Sequence, residues 1–383
     1  MSFLPFYAPS EAPPKVIIAG GGYAGMAALI SFYRYCPSAD VTLIDPREDH
    51  FKITHLHELF RRSPANLRVP FAALEDRFGF RHVCGDLKFT EKTLNEWQRD
   101  RALSVNDEMM PFDYLLLATG AATTKVEESE GLFDLEDLCR EQAPEIIRRL
   151  TELDENLPIS LVGAGATGVQ FFFEIAQWLK TRGKANSLRV IDAGDRVLQQ
   201  FTPELGRYVS SRMVELGIDF LPRTLFLGVE GADIRIEDKN TGEETKLSSG
   251  VTFCFVGKRS SLSLDTNLFG QVTTGRGTLS HIFAAGDCSR YRSLGSNAMT
   301  AQSAVRKGKL CARNILRHSG KLKFLEPYLH RDLGYVISLG PQDAIGWIGL
   351  QSNVVGGPPA VVVKELVEAQ HELLLAGIDT YLI

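Results

Sequence analysis

A chain of 383 residues is long enough for two or three domains, each with its own hydrophobic core. Its hydrophobic share of 44% and charged share of 23% are typical of a globular protein in water. The net charge of −5 lacks the basic character that neutralises nucleic-acid phosphates, so no nucleic-acid partner is expected.

The six cysteines show no C-x-x-C spacing, which argues against a zinc site, a redox dithiol and a disulfide framework. No metal is therefore expected. Residues 1–14 lack the basic and apolar regions of a secretory signal, and no apolar run of about 18 residues predicts a membrane-spanning helix. The expected location is the cytoplasm.

The first predicted unit is a βαβ segment over residues 15 to about 45. An apolar strand, Val16–Ala19, leads into a glycine motif, and a second strand ends in Asp45. A G-x-G-x-x-G motif alone is weak, but a strand, three glycines, a helix and an acid about 20 residues on form a much narrower dinucleotide-binding pattern. The motif is Gly20-Gly21-Gly22-Tyr23-Ala24-Gly25.

Each glycine of this pattern has a physical role. The first permits a tight turn, the second lets the backbone approach a pyrophosphate, and the third lets the helix pack closely on the strand. The helix start then directs backbone N–H groups at the anion.

The next segments are shorter. Residues 67–110 contain strand-like pieces separated by turns, among them 80–83 and 102–105. A continuous apolar run from residue 112 predicts a buried parallel strand that closes on the turn Ala118-Thr119-Gly120. Residues 131–153 are predicted to form a helix, because apolar residues recur at helical spacing.

A second unit repeats the plan of the first. The strand 159–162 leads into another glycine motif, and a later strand ends in Asp192. Two such patterns predict two dinucleotides in one chain, and two dinucleotides side by side indicate hydride transfer. The motif is Gly163-Ala164-Gly165-Ala166-Thr167-Gly168.

Strands are then predicted near 225–236 and over 251–257, followed by a strand ending in Gly286-Asp287 and a helix over about 298–317. The expected fold class is α/β, with two Rossmann-like dinucleotide-binding domains, the second inserted into the first. The predicted domains are residues 1–122 and 276–325 for the first, 123–275 for the second, and 326–383 for a C-terminal domain.

These motifs resemble the flavin-dependent pyridine nucleotide oxidoreductases with two dinucleotide-binding domains. Within them the chain is most similar to type II NADH dehydrogenases (NADH:quinone oxidoreductases) and to the ferroptosis-suppressor branch of the apoptosis-inducing-factor group. The resemblance covers roughly residues 15–375 and implies FAD in the first site, NADH in the second, and a small C-terminal α+β domain. It is carried by both glycine motifs with their acids and by Arg47, His50, Phe51, Ala118-Thr119-Gly120, Ala285-Gly286-Asp287, Ala301-Gln302 and the run 336–340.

The resemblance implies roles for these residues. Asp45 would bind the adenosine ribose of FAD, and Asp287 the ribityl and pyrophosphate portion. Helix 298–317 would direct its N-terminus at the flavin pyrimidine. Gly257 would let the nicotinamide lie flat on the flavin. The expected cofactor-binding residues are Gly20, Gly22, Tyr23, Ala24, Gly25, Asp45, Arg47, Leu87, Ala118, Thr119, Gly120, Gly163, Gly165, Gly168, Asp192, Gly257, Gly286, Asp287 and Ala301.

Charge predicts which nicotinamide nucleotide is preferred. A carboxylate at Asp192 facing a 2′-phosphate at 4 Å would cost about 4 kcal/mol before screening. NADH should therefore be preferred to NADPH, unless Arg189 or Arg196 offsets the charge.

Two positions depart from the family pattern. Gln170 stands where a glutamate is usual, and it cannot relay a proton. Gln302 matches the family's quinone-site helix, but Arg306 replaces a second glutamine, and a fixed cation would favour an anionic reduced flavin or an acidic acceptor. These three residues are the candidate catalytic positions.

The leading hypothesis is an enzyme that transfers hydride from NADH to FAD and electrons onward to a quinone or quinone-like acceptor. Two alternatives stay open. One is an NAD(P)H-dependent reductase of a soluble protein carrier. The other is a non-catalytic protein that binds FAD and NADH and signals redox state through a change of partner.

The C-terminal segment 359–383 is predicted to be an amphipathic helix, with an apolar stripe opposite charged residues. Such a helix could lie on the cytoplasmic face of a membrane, but its acidic residues make packing on the protein or in a homodimer at least as plausible. The stripe is Val362, Val363, Leu366, Val367, Leu373 and Leu374, and the charged residues are Lys364, Glu365, Glu368 and Glu372.

Overall fold

A computed structural model describes residues 4–123, 129–139, 143–231, 233–256, 258–259 and 263–381. Three 3-10 helices lie at Ile53–Phe60, Pro64–Leu67 and Gly286–Cys288. The α-helices of this part of the chain, numbered α1 to α9, are Tyr23–Tyr35, Phe71–Phe78, Glu91–Asp100, Leu135–Cys139, Ala143–Glu152, Ala166–Arg182, Pro203–Glu215, Ala301–Ser319 and Pro358–Leu375.

The strands are short and fall into seven sheets or hairpins within the described residues. Numbered β1 to β25 in chain order, they are Lys15–Ala19, Asp40–Asp45, Asp49–Phe51, Arg68–Pro70, Arg81–Cys84, Ala102–Val105, Glu108–Pro111, Tyr114–Leu117, Ala122–Thr123, Leu132–Asp134, Ile159–Val162, Leu188–Ile191, Ile218–Leu221, Thr224–Glu230, Asp233–Asp238, Glu244–Ser248, Val251–Cys254, Lys258–Arg259, Leu264–Thr266, Gln271–Thr274, Gly277–Ala284, Ser289–Tyr291, Gly334–Ser338, Ala344–Ile348 and Leu350–Gly356.

The first sheet has the strand order β22-β19-β20-β21-β8-β1-β2-β5. Because β1 is parallel to both β2 and β8, the carboxyl ends of these strands meet at one edge, as in doubly wound folds. Helices α1 and α8 pack on one face and share its core with apolar strand residues. The sequence prediction ends the second domain at residue 275, but this boundary is too late. Strand β20 pairs with β21, so β19 and β20 belong to the first sheet.

The second sheet, in the order β10-β17-β11-β12-β13, is parallel throughout. The prediction of one helix over 131–153 was wrong at its start. Residues 132–134 form β10 because they pair with β17 at the sheet edge. The Asp134 carboxylate then accepts the N–H groups of Glu136 and Asp137, and this side-chain cap starts α4.

The run 67–110 contains two helices that the sequence prediction missed. Helix α3 begins at a capping residue, since the Thr90 hydroxyl accepts the N–H of Thr93. It buries only Leu94 and Trp97, so its short apolar face gave little periodic signal. The predicted strands in this run correspond to β5 and β6.

The C-terminal part forms the antiparallel sheet β23-β24-β25 followed by α9. Helix α9 packs against all three strands and also against α1. Most of the predicted apolar stripe is not packed on the protein: Val362, Leu366 and Val367 are exposed, whereas Leu374 is buried. Two of the four charged residues are not on the exposed face, since the side chains of Lys364 and Glu368 are only 12% and 11% exposed. These charged side chains face inward because they pair with each other and with groups of the 3-10 helix 53–60.

Candidate active site

The first cradle, residues 20–25, lies between β1 and α1. Gly20 has a φ of +106°, and a Cβ there would lie 2.3 Å from the carbonyl oxygen of Ala118. A Cβ on Gly25 would lie 1.9 Å from the carbonyl oxygen of Gly20, so α1 can begin here only because position 25 lacks a side chain. A Cβ on Gly22 would meet nothing within 4 Å. The cradle therefore has a tight turn, a close contact and one open position.

The second cradle, residues 163–168, repeats this geometry. Gly163 has a φ of +100°, and its Cβ would lie 2.4 Å from the carbonyl oxygen of Phe255. A Cβ on Gly168 would lie 2.6 Å from the carbonyl oxygen of Gly163. At Gly165 the nearest atom to a Cβ is a side-chain nitrogen 3.8 Å away. Both cradles thus fit a pyrophosphate in the way the glycine pattern predicts.

Helices α1 and α6 begin in the two cradles without a side-chain cap. Their N-cap residues, Gly22 and Gly165, have extended backbones and no side chain that accepts a first-turn N–H. Helix α8, in contrast, is capped by the Thr300 hydroxyl. Tyr23 and Ala24 supply first-turn N–H groups, while the Tyr23 hydroxyl is hydrogen bonded to Thr54. Uncapped helix N-termini of this kind bind phosphate.

Asp45 closes the first cradle at the end of β2 and is buried. Its Oδ2 accepts the N–H of Gly21 at 2.6 Å, and its Oδ1 accepts the backbone N–H of Arg47 at 2.9 Å. The Arg47 guanidinium also binds both carboxylate oxygens at 2.9 Å. Burial acts to raise the pKa of Asp45, but the Arg47 hydrogen bonds and charge hold it below its ordinary value. Asp45 is thus a carboxylate covered by an arginine.

Asp192 has the same backbone contacts but no such cover. Its Oδ2 accepts the N–H of Ala164 at 2.6 Å, and its Oδ1 accepts the N–H of Gly194 at 2.7 Å. Two positions after the acid, the second cradle has a glycine, whereas the first cradle has an arginine. Since a carboxylate offers about four acceptor positions, Asp192 retains capacity for ribose hydroxyls.

The two arginines that could offset the charge of Asp192 point elsewhere. Arg196 donates to the carbonyl oxygens of its own loop, including those of Leu198 and Phe201. Arg189 lies on β12 and donates weakly, at 3.4 Å, to the carbonyl oxygen of Ser248.

The acid-bearing turn after β21 lies against the start of α1. A Cβ on Gly286 would lie 3.1 Å from the Cβ of Ala24, and Asp287 beside it is half-buried. On the other side of the cradle, the Thr119 side chain after β8 is exposed, and Gly120 has a φ of +74°. The structure therefore brings these turns together around the first cradle.

For two of the expected cofactor-binding residues, the structure gives no side-chain contribution to a cradle. The Leu87 side chain is buried in a core on the sheet face opposite α1 and α8, so only its backbone could contact a cofactor. Gly257 lies outside the described residues.

The two candidate glutamines are not brought together. The Oε1 of Gln170 accepts the N–H of Ser338 at 3.1 Å, and the Oε1 of Gln302 accepts the N–H of Leu333 at 3.3 Å. These contacts lie at opposite ends of β23, about 16 Å apart at the usual rise of a strand. Each glutamine therefore joins the C-terminal sheet to a different nucleotide-binding half.

Arg306 lies on α8, just after the helix start at Ala301. Its guanidinium lies over the ring of Tyr381, with 5.6 Å between its carbon and the ring centroid. Burial lowers the pKa of Arg306. The cation is therefore covered by the C-terminal segment rather than exposed.

Sequence reasoning missed a buried lysine, Lys307, beside the acid-bearing turn. Its Nζ donates to the carbonyl oxygen of Ser289 at 3.0 Å and to the Asn297 Oδ1 at 3.3 Å. Burial lowers the pKa of Lys307 to about 8. Helical spacing could have identified it, because position 307 shares a face with the buried Ala304 and Cys311.

Two glycine cradles, each at the carboxyl end of a parallel pair of strands, define an α/β protein with two dinucleotide-binding domains. The chain belongs to the pyridine nucleotide-disulphide oxidoreductase family, whose model matches residues 14–308. Family membership confirms the predicted α/β fold class and makes the chain a pyridine nucleotide oxidoreductase, as the sequence predicts.

The relatives agree with the resemblance seen in the sequence. The type II NADH:quinone oxidoreductase of Staphylococcus aureus (strain NCTC 8325 / PS 47) is 25% identical over 95% of this chain and 96% of its own. NDH2 from Plasmodium falciparum in complex with NADH has a TM-score of 0.76 at 17% identity, covering 93% of this chain and 94% of that one. The sulfide:quinone oxidoreductase of Aquifex aeolicus has the same TM-score and identity, covering 95% and 92%.

Proposed function

We propose that this protein oxidises NADH through bound FAD and passes the electrons to a quinone or quinone-like acceptor. One observation carries the proposal: two cradles of matching geometry open at the carboxyl ends of β1 and β11 in one chain. The Staphylococcus aureus relative, which aligns with nearly the whole chain, is named for the same reaction.

The chain's residues hold and orient the cofactors. Bound FAD would supply the redox chemistry between NADH and the acceptor, so no protein nucleophile is required. The N-termini of α1 and α6 bind the two pyrophosphates, and Asp45 and Asp192 bind ribose hydroxyls. For a ribose to reach Asp45, Arg47 must turn away from one carboxylate oxygen, which its half-exposed side chain permits.

The surroundings of Arg306 favour a small acceptor over an acidic protein carrier. A cation that docks a protein carrier must be exposed, whereas Arg306 lies beneath Tyr381 and burial lowers its pKa. Turnover with a neutral quinone should therefore be nearly independent of ionic strength, because screening acts on steered encounters between charges.

An anaerobic experiment tests the proposed acceptor. The FAD-loaded protein is first titrated with NADH until its flavin absorbance is lost, and a short-chain quinone is then added. We expect absorbance to return within seconds, in low and high salt alike. A bleached protein that quinone leaves unchanged would contradict the proposal, and a strongly salt-dependent return with an acidic carrier alone would favour the reductase alternative.

We also assign the outer face of α9 to peripheral contact with a membrane. Val362, Leu366 and Val367 are 59%, 63% and 48% exposed on this face. Within the described residues, no helix is both long enough and apolar enough to cross a bilayer. The proposed contact is with the membrane surface, through burial of these exposed apolar side chains rather than through basic residues.

Sedimentation with phosphatidylcholine vesicles tests this assignment. Leu366→Glu should weaken vesicle binding at least about tenfold, because it removes the burial of one large apolar side chain. Leu322→Glu, at another exposed apolar position, is the matched control and should bind as wild type. If Leu366→Glu instead converts a dimer to a monomer and vesicle binding is absent throughout, the face is a homodimer interface.

A further inference from the structure

A pair of buried histidines connects α9 to the first cradle. His50, in β3, and His371, in α9, face each other with 3.0 Å between their Nε2 atoms. The Nδ1 of His50 lies 2.8 Å from the carbonyl oxygen of Gly21. Both imidazoles are more than nine-tenths buried.

This arrangement fixes the protonation of both rings. A carbonyl oxygen can only accept, so the His50 Nδ1 carries a proton and donates it to Gly21. In the neutral ring, the His50 Nε2 is then an acceptor, and the His371 Nε2–H must be its donor. The Nδ1 of His371 is left as a buried acceptor without a hydrogen-bond partner among the described residues.

The contact acts on a peptide of the cradle itself. The N–H of Gly21 donates to Asp45, and the carbonyl oxygen of Gly21 accepts from His50. Both polar groups of Gly21, directly before the open position at Gly22, are therefore held by side chains. The orientation of the Gly22 N–H depends on this restraint, because the Gly21 carbonyl belongs to the same peptide plane.

Neighbouring contacts hold α9 in the same place. The Lys52 Nζ donates to Glu372 at 2.6 Å, and the His371 ring lies 4.3 Å from the ring of Tyr23, the first residue of α1. Helix α9 thus contacts the β3 segment and the start of α1 together.

We propose that His50 and His371 are positioning residues that couple the docking of α9 to the affinity of the first cradle for FAD. The proposal rests on the assignment of FAD to that cradle. Docked α9 keeps the His50 tautomer that orients Gly21, and a displaced α9 releases it. By reciprocity, bound FAD stabilises docked α9.

The coupling should weaken in acid. Burial lowers the pKa of His50 to about 4, the charges of Arg47 and Lys52 act in the same direction, and Asp45 opposes them. Burial also lowers the pKa of His371, with His50, His55 and Lys52 adding to the effect.

Because both folded-state pKa values lie below the ordinary value of 6.5, docking is fully favoured above that pH and is lost as pH falls toward about 4. Protonation of His50 at Nε2 places two N–H groups face to face and breaks the contact. Protonation of His371 takes place at Nδ1, where the buried charge has no hydrogen-bond partner among the described residues, and this also disfavours docking.

Release of FAD from the holoprotein after dilution, followed by flavin fluorescence across pH, tests the coupling. His371→Leu should weaken FAD binding at least about tenfold, because it leaves the His50 acceptor unpaired. His371→Gln should stay within about threefold of wild type, since its amide N–H can replace the Nε2–H. In both variants, the weakening of FAD binding at acid pH should involve about one proton fewer than in wild type, because one of the two histidines is missing.

Leu374→Ala is the matched control, because it removes a buried α9 side chain and leaves both histidines in place. It should lower the urea midpoint but keep the wild-type pH dependence. Hydrogen exchange of α9 amides should slow when FAD binds to the wild-type protein.

The outcomes separate this proposal from the proposed function. A wild-type protein that binds no FAD overturns both. A wild-type protein that binds FAD, with His371→Leu unchanged in affinity or with all variants keeping the wild-type pH dependence, overturns the coupling alone.

Discussion

Replacing Gly22 by alanine is expected to weaken FAD binding strongly while leaving the fold intact. The backbone at Gly22, with φ −76° and ψ −168°, is open to any residue, and an added Cβ meets no protein atom within 4 Å. That open space is where a pyrophosphate must approach the start of α1. We expect FAD affinity to fall at least about 100-fold. Quenching of FAD fluorescence measures the loss, and urea unfolding of the apoprotein should give a midpoint near that of wild type.

Gly308→Ala separates this steric effect from general destabilisation. A Cβ at Gly308 would lie 2.1 Å from the carbonyl oxygen of Ala24, where α8 crosses α1. Because the backbone of α1 or α8 must move, the unfolding free energy of this variant should fall by about 1–3 kcal/mol. Its FAD binding should weaken as well. Normal FAD binding by Gly22→Ala, or equal destabilisation by both variants, would contradict the geometry assigned to the first cradle.

The second large effect concerns the choice of nucleotide. We expect kcat/KM for NADH to exceed that for NADPH at least about 100-fold, because a 2′-phosphate at 4 Å from Asp192 costs about 4 kcal/mol before screening. Arg196 and Arg189, which could offset this charge, bind backbone carbonyl oxygens instead. Steady-state kinetics with each nucleotide measures the ratio.

Asp192→Asn tests the source of the preference. The amide lacks the charge and also loses one acceptor for the N–H groups of Ala164 and Gly194, so the NADH rate should fall. The NADPH rate should fall less, and the ratio should drop below about tenfold. Arg189→Ala is the control and should leave the ratio unchanged. Equal kcat/KM values for both nucleotides in the wild type would contradict this account.

The cradles could be predicted because their geometry is local. A glycine before a helix start, with an acid about 20 residues on, dictates its own turn and close contacts. The positive φ at Gly20 and Gly163 follows from that pattern. The shared contacts of Asp45 and Asp192 with the backbone follow from it as well, since the second strand of each unit ends beside the turn.

The remaining features depend on partners distant in sequence. Gln170 and Gln302 bond to the two ends of β23, which no spacing within α6 or α8 could reveal. The choice of the covered face of α9 has a similar cause, since Glu368 and His371 pack against the segment 50–58. Periodicity predicts which residues share a face, but the partner decides which face is covered.

The absorbance spectrum of the purified protein after reconstitution with FAD, recorded without oxygen before and after NADH, tests the central claim most directly. If the two cradles bring a flavin and a nicotinamide together, a band at about 450 nm should appear and then disappear on addition of NADH. A protein that stays colourless after reconstitution, or a band that NADH leaves unchanged, would contradict the account.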